Sequence, residues 1–122
     1  MALLIVDDEE TNRDMLSRRL QRQGFEVELA GNGPEALASI RSRVPDMVLL
    51  DIRMPGMSGM EAVKRLREWP ETRDIPVIGL SAAALVKDTS RAKDAGFYRY
   101  LTKPVKVAEL TATLEELLVG SP

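Results

Sequence analysis

Five short apolar runs alternate with five longer amphipathic stretches along this chain, and that alternation limits the fold more than any other feature. Leu3-Leu4-Ile5-Val6, Met47-Val48-Leu49-Leu50 and Pro76-Val77-Ile78-Gly79-Leu80 are continuous apolar runs, the pattern of strands buried on both faces. Phe25, Val27 and Leu29 alternate with Glu26 and Glu28, which predicts a half-buried strand near a sheet edge. Tyr98 to Leu101 is the fifth expected strand, with Tyr98 packed in or near it. Thr11 to Gln23 carries Met15, Leu16 and Leu20 at helical spacing and stops at Gly24, where a left-handed cap is favoured. Gly33-Pro34 opens a second helix, with proline expected at its first position and Ala36, Leu37 and Ile40 on its apolar face. Ser58-Gly59-Met60-Glu61 has the form of a capping box before a third helix lined by Met60, Val63 and Leu66. Ser81 to Ala95 reads as a loop and then a short helix, and Val107, Leu110, Leu114 and Leu117 line the last helix. Strict β-α alternation predicts an α/β fold: a doubly wound five-stranded parallel sheet, five helices on its two faces and right-handed crossovers.

The 122 residues suit one domain, expected over residues 1–120, with no linker, internal repeat or low-complexity segment. A net charge of −2 gives no electrostatic case for nucleic acid, which calls for a strongly basic domain. The chain has no cysteine and no histidine, so thiolate chemistry, the usual general base and the usual transition-metal ligand are all excluded. Chemistry is left to carboxylates, hydroxyls and lysine, and oxygen donors alone favour a hard cation such as Mg²⁺ over zinc. The opening apolar run is too short for a signal peptide and lacks a basic flank. No stretch approaches the about 18 apolar residues of a membrane span. The cytoplasm is the expected location.

In doubly wound folds, function gathers beyond the carboxyl ends of the strands. Asp7 and Asp8 follow the first strand, Asp51 the third and Ser81 the fourth, while Lys103 lies near the end of the fifth, just before Pro104. Each has a plain structural reading when taken singly. An aspartate after a strand often caps a helix or forms a turn, serine is common in loops, and most lysines are solvated. Their coincidence at one edge carries the argument. Clustered carboxylates repel and raise one another's pKa, and a divalent cation relieves this. A carboxylate can attack phosphorus to give an aspartyl phosphate, and phosphoryl transfer needs positioning and charge stabilisation rather than histidine. Asp51 stands alone at the end of a central buried strand, whereas the adjacent Asp7 and Asp8 suit a metal.

Leu4-Ile5-Val6-Asp7-Asp8-Glu9, Leu49-Leu50-Asp51-Ile52-Arg53-Met54-Pro55-Gly56-Met57-Ser58-Gly59 and Tyr100-Leu101-Thr102-Lys103-Pro104 together resemble the signatures of the response-regulator receiver domain of two-component signalling. The resemblance spans essentially the whole chain. It implies a flavodoxin-like, chemotaxis-regulator-like fold with strand order 2-1-3-4-5. It also implies residue roles. Asp51 would be the phosphoacceptor. Asp8, Asp51 and the backbone carbonyl of Arg53 would bind Mg²⁺ (or Mn²⁺) directly, with Asp7 acting through a metal-bound water. Lys103 would pair with Asp51 and then with the phosphoryl oxygens, and Ser81 would donate its hydroxyl to them. Tyr100 would be the switch aromatic, turning inward as Ser81 moves. The Lys103–Pro104 bond is cis in the family, and proline makes such a bond cheap. Ala82 leaves phosphate access open, while Arg53 and Ala83 occupy positions that tune phosphoryl lifetime.

The implied protein is not a metabolic enzyme, although it catalyses its own phosphorylation from a phosphodonor and its own dephosphorylation. Its expected partners are a histidine kinase or histidine phosphotransfer protein and a downstream effector. The effector would be reached through the fourth helix, fifth strand and fifth helix, with neither nucleic acid nor membrane contacted directly. Two stretches, Gly79 to Ala84 and Ala95 to Pro104, are similar to receivers of hybrid histidine kinases and to some single-domain regulators. Three other readings compete. A phosphatase resembling the haloacid-dehalogenase group needs an acid two residues after the nucleophile, where this chain has Arg53, and a cap domain. A degenerate receiver would lack part of the set Asp7, Asp8, Asp51, Ser81 and Lys103. A flavodoxin-like cofactor carrier would want a phosphate-binding loop where Asp7-Asp8-Glu9-Glu10 repels phosphate. Away from the site, Trp69 is expected to cap the third helix by packing. Arg18, Arg19 and Arg22 form a solvated face, and Met54, Met57 and Met60 serve as core and loop filler.

Overall fold

The apolar runs become the strands of one sheet, and the residues between them become the helices that cover it. The computed structural model describes residues 2–52, 54, 56–81, 96–102 and 105–119. In chain order the elements are β1 (Ala2–Val6), α1 (Glu10–Arg22), β2 (Glu26–Ala30), α2 (Gly33–Ser42), β3 (Met47–Asp51), α3 (Gly59–Glu68), β4 (Val77–Ser81), β5 (Arg99–Thr102) and α4 (Val107–Val119). The strands are all parallel, in the order β2-β1-β3-β4-β5. The short helix expected within 81–95 lies outside the described residues. No helix among the described residues is long and apolar enough to cross a membrane.

Side-chain alternation along β1, β3 and β4 divides the core in two. Leu4, Val6, Val48, Leu50 and Val77 face Ala36, Ile40, Ala62, Val63 and Leu66 of α2 and α3. Leu3, Ile5, Met47, Leu49, Ile78 and Leu80 face Leu16, Leu20, Leu110 and Leu114 of α1 and α4. Fully burying one such side chain is worth about 1.5–3 kcal/mol, so these strands hold the sheet in place from both sides. The edge strand β2 has less to bury. Val27 is half-buried there, but Leu29, expected inside, is 39% exposed on a strand with no neighbour beyond it among the described residues. Met15 is likewise 39% exposed, since Leu16 and Leu20 already fill the α1 face that meets the sheet.

Local signals fix the helix ends. The Gly24 N–H donates to the Gln21 carbonyl and the Phe25 N–H to the Leu20 carbonyl, with Gly24 at φ +96°, which is a Schellman cap. Ser58 caps α3 by accepting from the Glu61 N–H at 3.2 Å. Asn32 caps α2, accepting from the Glu35 N–H at 2.8 Å, so the helix begins at Gly33 and Pro34 takes its second position rather than its first.

At the far end of α3, the Arg67 guanidinium gathers a loop. It donates to the carbonyls of Thr72, Arg73 and Ile75 at 2.7–3.2 Å and to that of Gly96 at 2.6 Å. Burial lowers its proton affinity, and the Asp74 carboxylate works in the opposite direction. Phe97, next to this anchor, is buried against Gly79 of β4, where an added Cβ would lie 3.0 Å from its ring. Phe97 therefore does the packing expected of Tyr98. The Tyr98 side chain is 43% exposed, and its hydroxyl donates to Glu116 on α4. Trp69 ends α3 and packs partly against the α2–α3 core, with the Arg41 guanidinium 4.3 Å from its ring centre. Met54 is buried, and Met57 and Met60 pack against the same core. Arg18, Arg19 and Arg22 are exposed.

Candidate functional site

β1 and β3 pair with Val6 opposite Leu50, so the next residue on each strand, Asp7 and Asp51, leaves the sheet at the same level. Both are nearly inaccessible, at 0% and 4% exposed, and Asp8 beside them is exposed. One carboxylate oxygen from each of the three lies within 4.8 Å of the others. Two such charges about 5 Å apart repel by on the order of 3 kcal/mol at an effective dielectric of 20. The group therefore favours a cation, and its all-oxygen donor set fits Mg²⁺, which is held through one or two carboxylates together with water.

β4 pairs with β3 one residue out of step, with Leu80 opposite Asp51, so the buried Ser81 follows at the same sheet edge. Asp7, Asp51 and Ser81 each have further interactions within the protein. Thr102, the last residue of β5, is opposite Ser81. Lys103 and Pro104 come next in sequence and lie outside the described residues, as do Arg53, Ala82 and Ala83. Tyr100 lies in β5 opposite Gly79, and its side chain is outside the described part. The structure thus brings together Asp7, Asp8 and Asp51 and places Ser81 at the end of the neighbouring strand.

Asn12, Arg13 and Gly59, none of them expected at this site from the sequence, shape this edge. Asp7 Oδ1 accepts from the Glu9 N–H at 2.9 Å, and Oδ2 accepts from Asn12 Nδ2 at 2.5 Å. Arg13 donates through its terminal nitrogen to the Asp7 carbonyl at 2.8 Å, while the Asp7 N–H donates to the Ala30 carbonyl. The Arg13 guanidinium passes beside Gly31, where an added Cβ would lie 3.1 Å from it. Gly59 opens α3 directly against the backbone of Asp51 and Ile52. The Asn12 amide, in the first turn of α1, reaches back to the carboxylate that precedes the helix, but an asparagine there is too ordinary in sequence to stand out.

Residues 3–115 match the model of the response regulator receiver domain. The chain belongs to that family. The polar-differentiation response regulator DivK of Brucella anthropi is 35% identical to this receiver over 117 residues, covering 96% of this chain and 95% of DivK. The chemotaxis protein CheY4 of Vibrio cholerae superposes on it with a TM-score of 0.90 at 34% identity, over 94% of this chain and 96% of that one. The signal receiver domain of a signal transduction histidine kinase from Syntrophus aciditrophicus does so with a TM-score of 0.89 at 33% identity, over 98% and 90%. The receiver is a phosphorylation-activated switch of two-component signalling, built on the flavodoxin-like fold. Receiver domains bind Mg²⁺ at an acidic aspartate cluster, and this one has such a cluster in Asp7, Asp8 and Asp51. Receiver domains also interact with histidine kinases and with effectors.

Proposed function

We propose that Asp51 is the phosphoacceptor of this receiver, served by Asp7, Asp8, Ser81 and Lys103. The observation that carries the reading is the meeting of the Asp7, Asp8 and Asp51 carboxylates within 4.8 Å at the end of β1 and β3. Asp8, Asp51 and the Arg53 backbone carbonyl would hold Mg²⁺ (or Mn²⁺), with Asp7 acting through a metal-bound water. When bound, the cation neutralises charge on the carboxylates and on the transferring phosphoryl oxygens.

An Asp51 oxygen attacks the phosphorus of a phosphohistidine. The new O–P bond forms as the N–P bond breaks, and the imidazole departs with the bonding electron pair. The product carries about −1.5 to −2 of charge, by analogy with other phosphorylated side chains. Lys103 pairs with that charge and Ser81 donates its hydroxyl to it. The movement of Ser81 makes room for Tyr100 to turn inward. The surface of the expected fourth helix, β5 and α4 then shifts between two populations. A swing from 1:99 to 99:1 requires about 5.5 kcal/mol of differential stabilisation, within reach of a few charge-assisted hydrogen bonds. Ala82 keeps the phosphate approach open, and Arg53 and Ala83 set how long the phosphoryl group lasts. In this reading residues 1–120 form one receiver domain in the cytoplasm. A histidine kinase or phosphotransfer protein donates to it, and an effector reads it, without direct contact with nucleic acid or membrane.

The test is titration with beryllium fluoride and Mg²⁺, followed by Trp69 fluorescence and amide chemical shifts. A saturable response in the wild type that vanishes in Asp51→Ala is expected. A silent wild type, or an Asp51→Ala variant that responds equally, overturns the assignment.

A further inference from the structure

The buried Asp7 carboxylate is held from two directions. The Glu9 N–H fixes Oδ1 at 2.9 Å, and the Asn12 amide, one turn into α1, fixes Oδ2 at 2.5 Å. Arg13 anchors the same residue through its carbonyl at 2.8 Å. These contacts oppose the repulsion that Asp8 and Asp51 exert on Asp7 from within 4.8 Å. A carboxylate under such repulsion and free to rotate would turn away, and cation binding would then have to restore its orientation. A neutral donor avoids that cost without adding a cation that competes with the metal. Partners behind metal-binding groups commonly act this way, by orienting the group.

We propose that Asn12 is a positioning residue for the cation site, holding the Asp7 carboxylate in the orientation that Mg²⁺ binding uses. The proposal rests on the reading of Asp7, Asp8 and Asp51 as that site. Asn12 touches Asp7 and acts only through it. Asn12→Ala removes the donor, and Asn12→Leu removes it while keeping much of the side-chain volume. The loss of one hydrogen bond corresponds to about fivefold in affinity.

The experiment is a Mg²⁺ titration of the wild-type chain and both variants, read by amide chemical shifts, with thermal melting in metal-free buffer alongside. The expected result is a dissociation constant raised about fivefold in both variants, with metal-free melting lowered modestly and to a similar extent in both. Unchanged or tightened Mg²⁺ binding in the variants, beside a wild type that binds, overturns the role of Asn12 and leaves the cation site standing. Weakening in Asn12→Ala alone, with Asn12→Leu binding as the wild type does, assigns the effect to packing and also overturns it. A wild type whose shifts do not respond to Mg²⁺ removes the site reading itself and this inference with it.

Discussion

Gly59 stands against the backbone of Asp51. A Cβ on Gly59 would overlap the Asp51 carbonyl oxygen and lie 2.7 Å from Ile52 Cα, while the Gly59 N–H donates to the Ile52 carbonyl at 2.8 Å. The first residue of α3 is thereby packed onto the strand end that carries Asp51, and the atoms in the way are main chain, which cannot rotate aside. Gly59→Ala should lose about 1–3 kcal/mol of stability in urea unfolding, despite alanine's better helix propensity. It should also slow phosphorylation from a small phosphodonor, because the Asp51 backbone must shift. Unaltered stability would mean that the β3–α3 connection relaxes freely.

Mg²⁺ should stabilise the fold through the same carboxylates. At one hundred times the dissociation constant, a ligand that binds only the folded state adds about 2.7 kcal/mol. The wild type should therefore melt higher in Mg²⁺ and return to its metal-free midpoint on chelation. Asp51→Asn should lose most of that increment. Calorimetry of both proteins with and without Mg²⁺ checks this, and an equal increment in the variant would remove Asp51 from the binding set.

Gly33 makes a softer contact. An added Cβ would lie 2.8–2.9 Å from the Sδ, Cγ and Cβ of Met57, in the connection that follows Asp51. Gly33→Ala should cost about 1–2 kcal/mol, and Met57→Ala in the same chain should recover much of it. A double-mutant cycle in urea reads the coupling. Strict additivity would show that the two residues do not press on each other.

Arg67 ties the α3–β4 connection to the approach to β5. Replacing it with methionine keeps much of its aliphatic stem but leaves the carbonyls of Thr72, Arg73, Ile75 and Gly96 without that donor. Hydrogen bonds to a charged group are worth about 1.5–3 kcal/mol net. Arg67→Met should lose at least that much stability. Amide exchange should quicken at Ile75 and Tyr98, whose N–H groups donate to the Thr72 and Val77 carbonyls nearby. Uniform exchange throughout the chain would argue that Arg67 acts globally rather than at this junction.

The strands were legible in the sequence because burial on two faces leaves little choice of residue. Met47 to Leu50 could hardly be anything but a central strand. The caps at Gly24 and Ser58 were legible because only certain residues satisfy a helix end there. Asn32 was hidden behind the more conspicuous Gly33-Pro34. Phe97 and Tyr98 exchanged roles because two adjacent aromatics beside a strand leave its phase open, and the Arg67 anchor at Gly96 is invisible without the fold. The acids of the site could be read because strand ends converge on one edge in this topology. Asn12, Arg13 and Gly59 could not be read in the same way. An asparagine or arginine in a first helical turn is ordinary, and the closeness of Gly59 to Asp51 exists only in three dimensions.

The division of the core by β1, β3 and β4 has a consequence for how such a chain changes over time. The helices on the two sides of the sheet rest on different residues of the same strands, Leu4 and Val48 on one side and Leu3 and Leu49 on the other. A methyl group gained or lost on one side is felt by α2 and α3 or by α1 and α4, with the backbone of the sheet standing between. The two layers can therefore drift in sequence separately. A lineage can retailor the helices of one layer while the opposite layer keeps its own packing, and the edge that carries Asp7, Asp8 and Asp51, held by the strands themselves, stays where it was.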